Sequence, residues 1–431
     1  MSSLAFRRRR AARISLVALA LSCASICSAA PLGPIERTLP LRAVNLPPVS
    51  AADLAPGWNL GNSLEAYAGG TLPKASSQET YWGNPAVNQA LMNGIAQAGF
   101  KSVRIPVSWA QYADSNNVIA PFWLARVRQV VDMARRAGLY VILNEHWDGG
   151  WLEPTYAART TASPKLAELW RQIATYFRYY DNHLLFAGTN EVTMNWQAPT
   201  AENCAVQRGY NQMFVSAVRK TGGNNATRTL VVQTYATNID FGISCNIQMP
   251  VDTATRRLMV EVHYYDPYDF TLNTDSAIWQ WGKDATSPAN TETWANESYA
   301  DNQFQKMQTY FISRGIPVIL GEYAASLRTE YDPSQKYRNY WDQYITQSAR
   351  QHGVVPIYWD NGYLTNHQSG LFDRSTGNQG YPATLIGIVT SNSAAAARPM
   401  KYQSLTPSLP TPRREIRGPR TNPLNHGEII P

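Results

Sequence analysis

Eight short apolar, β-branched runs recur along this chain, and most end in charged or hydrogen-bonding residues where a purely structural strand would end in turn residues. They begin at Gly57, Phe100, Leu139, Leu184, Thr229, Arg257, Ile316 and Gly353. Longer amphipathic segments separate them, with helices expected over 85–98, 121–137, 164–180, 206–220, 302–314 and 334–351, several opening on Pro or Ser. Strand and helix alternating without a break is the pattern of βα units around a parallel sheet. No reversal of strand order and no glycine-rich phosphate loop is visible, so the eight units predict a closed (β/α)8 TIM barrel, class α/β, rather than an open doubly wound sheet. One domain over residues 53–393 accommodates them.

The remaining segments read differently. Arg7 to Arg10 and Arg13 precede an apolar stretch from Ile14 to Ile26 and the small residues Ser28, Ala29 and Ala30. That is the form of a secretory signal over residues 1–30, too short for a membrane anchor. Residues 31–52 are Pro-, Leu- and Ala-rich without periodicity and read as a leader. Residues 394–431 are basic and Pro-rich, with too little apolar surface to fold, and read as a disordered tail. The formal charge of +7 resides in these ends. Five arginines lie in residues 1–30 and a net +4 lies in 394–431, which leaves residues 31–393 at −2. The body is mildly acidic, so the basic balance implies no nucleic-acid partner.

Removal of the signal leaves Cys204 and Cys245 from four cysteines. An even count in an oxidising compartment favours a bridge between them, the other reading being two separately buried thiols. The expected location is extracellular or periplasmic. The mature chain is read as a monomer without a membrane anchor.

In a barrel of this type, polar residues at the C-terminal ends of strands build the site. Here these are Arg104, Asn144, His146, Asn190, Glu191, His263, Tyr265, Glu322 and Trp359, with Asn59 on the first strand. Two glutamates on the fourth and seventh strands suit glycoside hydrolysis, which needs one protonated carboxyl and one ionised carboxylate. Arg104 and Tyr265 are placed to donate to Glu322 and keep it charged, and that charge would hold a proton on Glu191. His146 and His263, with Asp148 and Asp266, lack a third His or Cys at ligand spacing, so neither a metal nor another cofactor is expected. No nucleophilic-serine elbow occurs. Thirteen tryptophans add a preference for flat sugar faces. Trp82, Trp109, Trp147, Trp151, Trp196, Trp279, Trp281 and Trp359 fall in or near the expected face loops, whereas Trp123, Trp170 and Trp341 lie on helices and read as packing. The long connection from Asp266 to Ala300 carries Trp279, Trp281 and Trp294, as a binding loop would.

From GWNLGNSLEA at Gly57 to IYWDNG at Ile357 the chain resembles family 5 glycoside hydrolases, the cellulases once called family A. SVRIPVSW at Ser102, VILNEHWDGGW at Val141, LLFAGTNEV at Leu184, EVHYYDPYDFT at Glu261 and PVILGEYAA at Pro317 follow in family order. The resemblance implies a (β/α)8 barrel that cleaves β-glycosidic bonds with retention, Glu191 serving as acid/base and Glu322 as nucleophile. It implies supporting roles for Arg104, His146, Asn190, His263, Tyr265 and Trp359, with Asn190 at the 2-hydroxyl and Trp359 beneath the reacting sugar. It places the chain in the endo-β-1,4-glucanase branch, acting on a β-glucan polysaccharide. Many members have two successive histidines where this chain has His146 and Trp147, which bears on substrate preference. Alternatives are another β-polysaccharide on the same site (xyloglucan, mixed-linkage glucan, xylan or mannan), a non-catalytic carbohydrate-binding protein, or an adhesion protein using the tail.

Overall fold

The structure, a computed structural model, describes residues 47–69 and 78–391. The expected signal, most of the leader and the basic tail lie outside the described residues.

All eight expected runs are strands: β1 Gly57–Leu60, β2 Ser102–Ile105, β3 Tyr140–Asn144, β4 Leu184–Ala187, β5 Leu230–Gln233, β6 Leu258–His263, β7 Val318–Glu322 and β8 Val355–Asp360. They pair in parallel in chain order, and β8 closes the barrel onto β1 with Gly57 opposite Ile357. A helix follows each strand: α1 Gln89–Gln97, α2 Pro121–Arg136, α3 Tyr156–Tyr176, α4 Ala201–Lys220, α5 Ile239–Ser244, α6 Glu297–Tyr310, α7 Lys336–Gln351 and α8 Pro382–Thr390. None is long and apolar enough to cross a membrane, among the described residues.

Strand periodicity sorts the core into two. Val141, Leu143, Phe186, Val232, Val260 and Leu320 face the helices, while Ile142, Leu185, Val231, Met259, Ile319 and Val355 face the barrel interior. Val49, near the end of the expected leader, belongs to this interior, with Ala51 packed against it. Ala51–Leu54 is a short helix, with Ser50 donating its N–H to Asp53 at 2.8 Å. Val49 and Leu54 pack against the inward strand residues, and Ser102 Oγ donates to the Leu54 carbonyl at 2.7 Å. Full burial of Leu54 contributes about 1.5–3 kcal/mol, so this segment closes the floor of the barrel.

Helix starts differ most from expectation. The helix expected from Pro164 begins eight residues earlier, where the Thr155 side chain accepts from Ala158 N–H, and Pro164 lies inside it. An interior proline costs about 3 kcal/mol, offset here by the buried face of Leu166, Leu169, Trp170 and Ile173. Likewise α4 starts five residues early, capped by Thr200, and α6 starts after Asn296. Helices α5 and α8 are absent from the expected set.

Trp123, Trp170 and Trp341 are fully buried, as expected of packing residues. Trp109 and Trp281 prove to be packing residues too. Trp109 donates its indole N–H to the Asn144 carbonyl at 2.9 Å, and Trp281 donates to the Ala295 carbonyl at 2.7 Å, within the long connection itself. Trp279 and Trp294 remain partly exposed there, Trp279 stacked on Tyr331 with ring centres 5.8 Å apart.

One irregularity matters for the site. Val262 pairs with Leu320 but His263 pairs with Glu322, so β7 carries one extra residue, Gly321. This bulge turns Glu322, which strict alternation would face outwards, towards the barrel axis beside His263.

Candidate active site

At the upper end of the barrel the inward residues change from apolar to polar. Asn59, Arg104, Asn144, Gln233 and Glu261 form a buried layer, fully shielded from solvent, with Glu191, His263 and Glu322 above it.

Arg104 is the hub of that layer. Its Nη1 donates to Glu322 Oε1 at 2.9 Å and to Asn59 Oδ1 at 3.0 Å, and its Nη2 donates to Asn190 Oδ1 at 2.7 Å. Its Nε makes an ion pair with Glu261 Oε1 at 2.9 Å. The planar guanidinium thus fixes four side chains at once, three from other strands and Asn190 from just beyond β4. Asn59 is held in turn, donating to the Gly321 carbonyl at 2.7 Å. Because the Asn190 oxygen is taken, its amide nitrogen is the donor end left for a ligand.

Glu322 also accepts from the Tyr265 hydroxyl at 3.1 Å. Glu191 lies beyond β4 with its side chain 22% exposed, and its Oε1 is 2.6 Å from His263 Nδ1. That same ring nitrogen is 3.6 Å from Glu322 Oε2, while Nε2 is 3.3 Å from Glu261 Oε1. One carboxylate oxygen from each of Glu191 and Glu322 and one His263 nitrogen all fall within 4.8 Å of one another.

The electrostatics follow from burial and crowding. Burial lowers His263, but Glu322, Glu191 and Glu261 outweigh it and raise the ring to about 9, so it is an imidazolium at neutral pH. Burial raises Glu261, yet Arg104 first and then His263 and Gln233 bring it down to about 2. For Glu322 burial is the largest influence and lifts the carboxyl above its ordinary range, with Glu191 and Glu261 adding to the rise and His263 and Arg104 opposing it. The expected donors are in place, but with Arg104 and the His263 imidazolium both opposing it the carboxyl still stays above its ordinary range.

His146 takes the opposite state. Burial, Arg104 and His263 all lower it well below its ordinary value. Asn144 accepts from Val107 N–H at 3.1 Å, so its amide nitrogen is the end that faces His146 Nδ1 at 3.1 Å. The neutral ring therefore carries its proton on Nε2. It lies parallel to Trp359, ring centres 5.8 Å apart at 10°.

The sequence profile described as Cellulase (glycosyl hydrolase family 5) matches residues 65–364. This chain belongs to glycosyl hydrolase family 5. The chain is 39% identical over 342 residues to "Endoglucanase A" of Paenibacillus barcinonensis, covering 75% of this chain and 84% of that protein. It is 40% identical over 346 residues to a xyloglucan-specific endo-beta-1,4-glucanase of Bacteroides ovatus, covering 77% of this chain and 68% of that one. The structure of a family 5 xyloglucanase from Paenibacillus pabuli superposes with a TM-score of 0.75 at 38% identity, over 79% of this chain and 99% of that chain.

Within the family 5 barrel, the strand-end residues expected from sequence converge on one site, whereas three of the expected aromatic side chains make their contacts elsewhere. Trp151 donates to Glu145 Oε1 at 3.2 Å, and Lys165 Nζ sits 4.3 Å over its ring. Trp147 is exposed and meets Tyr67 edge-on, ring centres 5.4 Å apart. Trp196 is partly buried against Cys204, Tyr235 and Cys245. Cys204 and Cys245 form the expected disulfide.

The aspartates considered as ligands have other partners. Asp148 accepts from the N–H groups of Trp109, Ala110 and Gln111, the first at 2.7 Å and the last at 3.2 Å. Asp266 accepts from the Tyr299 hydroxyl at 3.4 Å. Glu191, His263 and Glu322 have the spacing to surround a cation, and Arg104 already supplies a positive charge there, 2.9 Å from Glu322.

Sequence reasoning missed Glu261 and Gln233, which donates to Glu261 Oε2 at 2.6 Å. The signal was present: Glu261 precedes His263 by two on a strand, so both face inwards.

Proposed function

We propose that the chain is a retaining endo-β-1,4-glucanase that hydrolyses internal bonds of cellulose or related β-glucans, with Glu322 as nucleophile and Glu191 as acid/base. The carrying observation is the approach of the two carboxylates, each with an oxygen inside the same 4.8 Å cluster as His263. Retaining enzymes hold the two carboxyl groups about 5–5.5 Å apart, whereas inverting ones need about 6.5–9.5 Å to admit a water.

Glu322 attacks the anomeric carbon while Glu191 gives its proton to the departing oxygen, which leaves a glycosyl ester on Glu322. Glu191, now ionised, takes a proton from water, and the resulting hydroxide attacks the same carbon and frees Glu322. Two inversions give net retention, and Glu191 regains its proton. Arg104 and Tyr265 hold the Glu322 carboxylate in line until its charge is consumed in the ester bond; Asn190 and the Nε2–H of His146 donate to sugar hydroxyls, and Trp359 underlies the ring. The reading includes export of the enzyme, supported by residues 1–30, and action as a monomer.

A second reading, preference for xyloglucan, is favoured by the exposed Trp147 beside Tyr67 and by the xyloglucan-specific relative. Release of reducing ends from carboxymethyl cellulose, barley glucan, xyloglucan and mannan decides between them, with Glu191→Ala and Glu322→Ala alongside. Loss of about a hundredfold or more in both variants is expected. Undiminished activity in either overturns the mechanism, and activity on mannan alone overturns the glucanase assignment.

A further inference from the structure

We infer that Glu261 is a positioning residue for the site: its single buried carboxylate anchors both Arg104 and His263, and thereby sets how many protons the two reacting glutamates and His263 hold between them. The inference rests on the roles proposed for Glu191 and Glu322.

Glu261 has no route to substrate. It is fully buried one residue pair below His263 on β6, beside Arg104. Oε2 takes the Gln233 amide at 2.6 Å, and Oε1 is shared between Arg104 Nε at 2.9 Å and His263 Nε2 at 3.3 Å. Space for it is made by Gly321, where a β-carbon would fall 2.0 Å from Oε1.

Two consequences follow for proton transfer. A carboxylate only accepts, so the nitrogen facing Glu261 keeps its hydrogen whatever the charge of the ring. The nitrogen free to change state is Nδ1, which faces Glu191 at 2.6 Å. His263 can then donate to Glu191 as a carboxylate, or accept from it as an acid, without turning. The second consequence is a charge count. Among the described residues, the charged groups set around His263 are Glu191 after β4, Glu261 on β6, Glu322 on β7 and Arg104 on β2, with His146 neutral. With Glu261 ionised, an imidazolium, the Arg104 guanidinium, an ionised Glu322 and a protonated Glu191 together carry no net charge. Removing the Glu261 charge leaves one uncompensated positive charge in a dry pocket, which is relieved by loss of a proton from His263 or Glu191.

Glu261→Gln keeps the volume and removes the charge, and Glu261→Asp keeps the charge. Turnover is followed against pH on whichever soluble β-glucan the wild type cleaves, with circular dichroism to establish folding. In Glu261→Gln, kcat/KM is expected to fall about tenfold or more, and its alkaline limb to move to lower pH by about one unit. Glu261→Asp is expected to hold the limb near its wild-type position. A uniform fall at all pH values with an unmoved limb would show a merely structural role and overturn the inference. The wild type supplies a test that needs neither variant nor substrate. Nitrogen-15 spectra of its six histidines should contain one ring that carries both protons at about pH 8, beyond the ordinary histidine range, and absence of such a ring overturns the inference. Inactivity of the wild type on every β-glucan would sink the proposed function and leave this spectrum standing.

Discussion

Glu261 Oε1 occupies the space that a β-carbon on Gly321 would require, 2.0 Å from its ideal position. The extra residue of the β7 bulge therefore has to be glycine for a packing reason, apart from any backbone one. Gly321→Ala is expected to push the carboxylate off Arg104 and His263, destabilising the barrel by about 1–3 kcal/mol and lowering turnover together. Thermal unfolding and kcat on one preparation check this, and an alanine variant with wild-type values for both would contradict the packing described.

The pH dependence of stability has a definite sign. Burial raises Glu65 to about 7 and Asp148 to about 6, so the folded chain retains protons that the unfolded chain has lost. Each therefore costs stability as pH rises from the ordinary carboxylate range through its raised value. His263, raised to about 9 by its three carboxylates against the effect of burial, adds stability that is complete below its ordinary value near 6.5 and is lost through 9. Glu261, lowered to about 2, opposes this only at the acid end, losing its contribution as pH falls from about 4.5 through 2. The melting temperature is thus expected to be highest near about pH 5 and to decline towards pH 9. A flat or rising profile over that interval, at constant ionic strength, would be incompatible with these buried groups.

Trp147 is 44% exposed and supported edge-on by Tyr67. Asp148, Gly149 and Gly150 all have left-handed backbone conformations, forming the turn that presents it. Replacing it with histidine or alanine is expected to raise KM on the preferred glucan by about two- to tenfold, the scale of one stacking contact, with kcat nearly unchanged. Comparison of xyloglucan with barley glucan in the same variants shows whether the loss falls on branched or linear chains. Equal KM values for wild type and both variants would remove Trp147 from the binding surface.

The Cys204–Cys245 bridge links α4 to the end of α5, closing a loop of 41 residues. On the chain-entropy argument its removal by double serine substitution costs about 4 kcal/mol. Urea unfolding of the variant and of the reduced wild type should show equal losses, with turnover under native conditions largely kept. A loss in the serine variant without one on reduction would point to packing around Tyr235 instead.

Strand positions were legible because the β-branched runs are fully buried and short, and each of the eight fell where expected. Helix starts were not, since one capping side chain decides each: Thr155 and Thr200 lie outside the apolar periodicity, and Pro164 gave a false start. Arg104, Glu191, His263 and Glu322 could be read because polar groups at strand ends break the apolar pattern. Glu261 was harder, since an acidic residue inside a strand reads as a solvent-facing position until the neighbouring strands supply Arg104 and Gln233. Trp109 and Trp281 show the converse: an aromatic residue in a connection packs or binds according to contacts that only the closed barrel defines.

The polar layer has a further consequence for how this scaffold can change. Asn59, Arg104, Asn144, Gln233, Glu261, His263 and Glu322 come from six strands, whereas Tyr67, Trp147, Trp196 and Trp279 stand on connections between elements. Insertion or exchange in the parts of connections that carry these aromatic residues alters which polymer is admitted and spares the proton inventory, provided Glu191, just beyond β4, is kept. Reactivity and selectivity are thus separately heritable, and new specificities on this barrel are accessible by grafting connections while the strands are left alone.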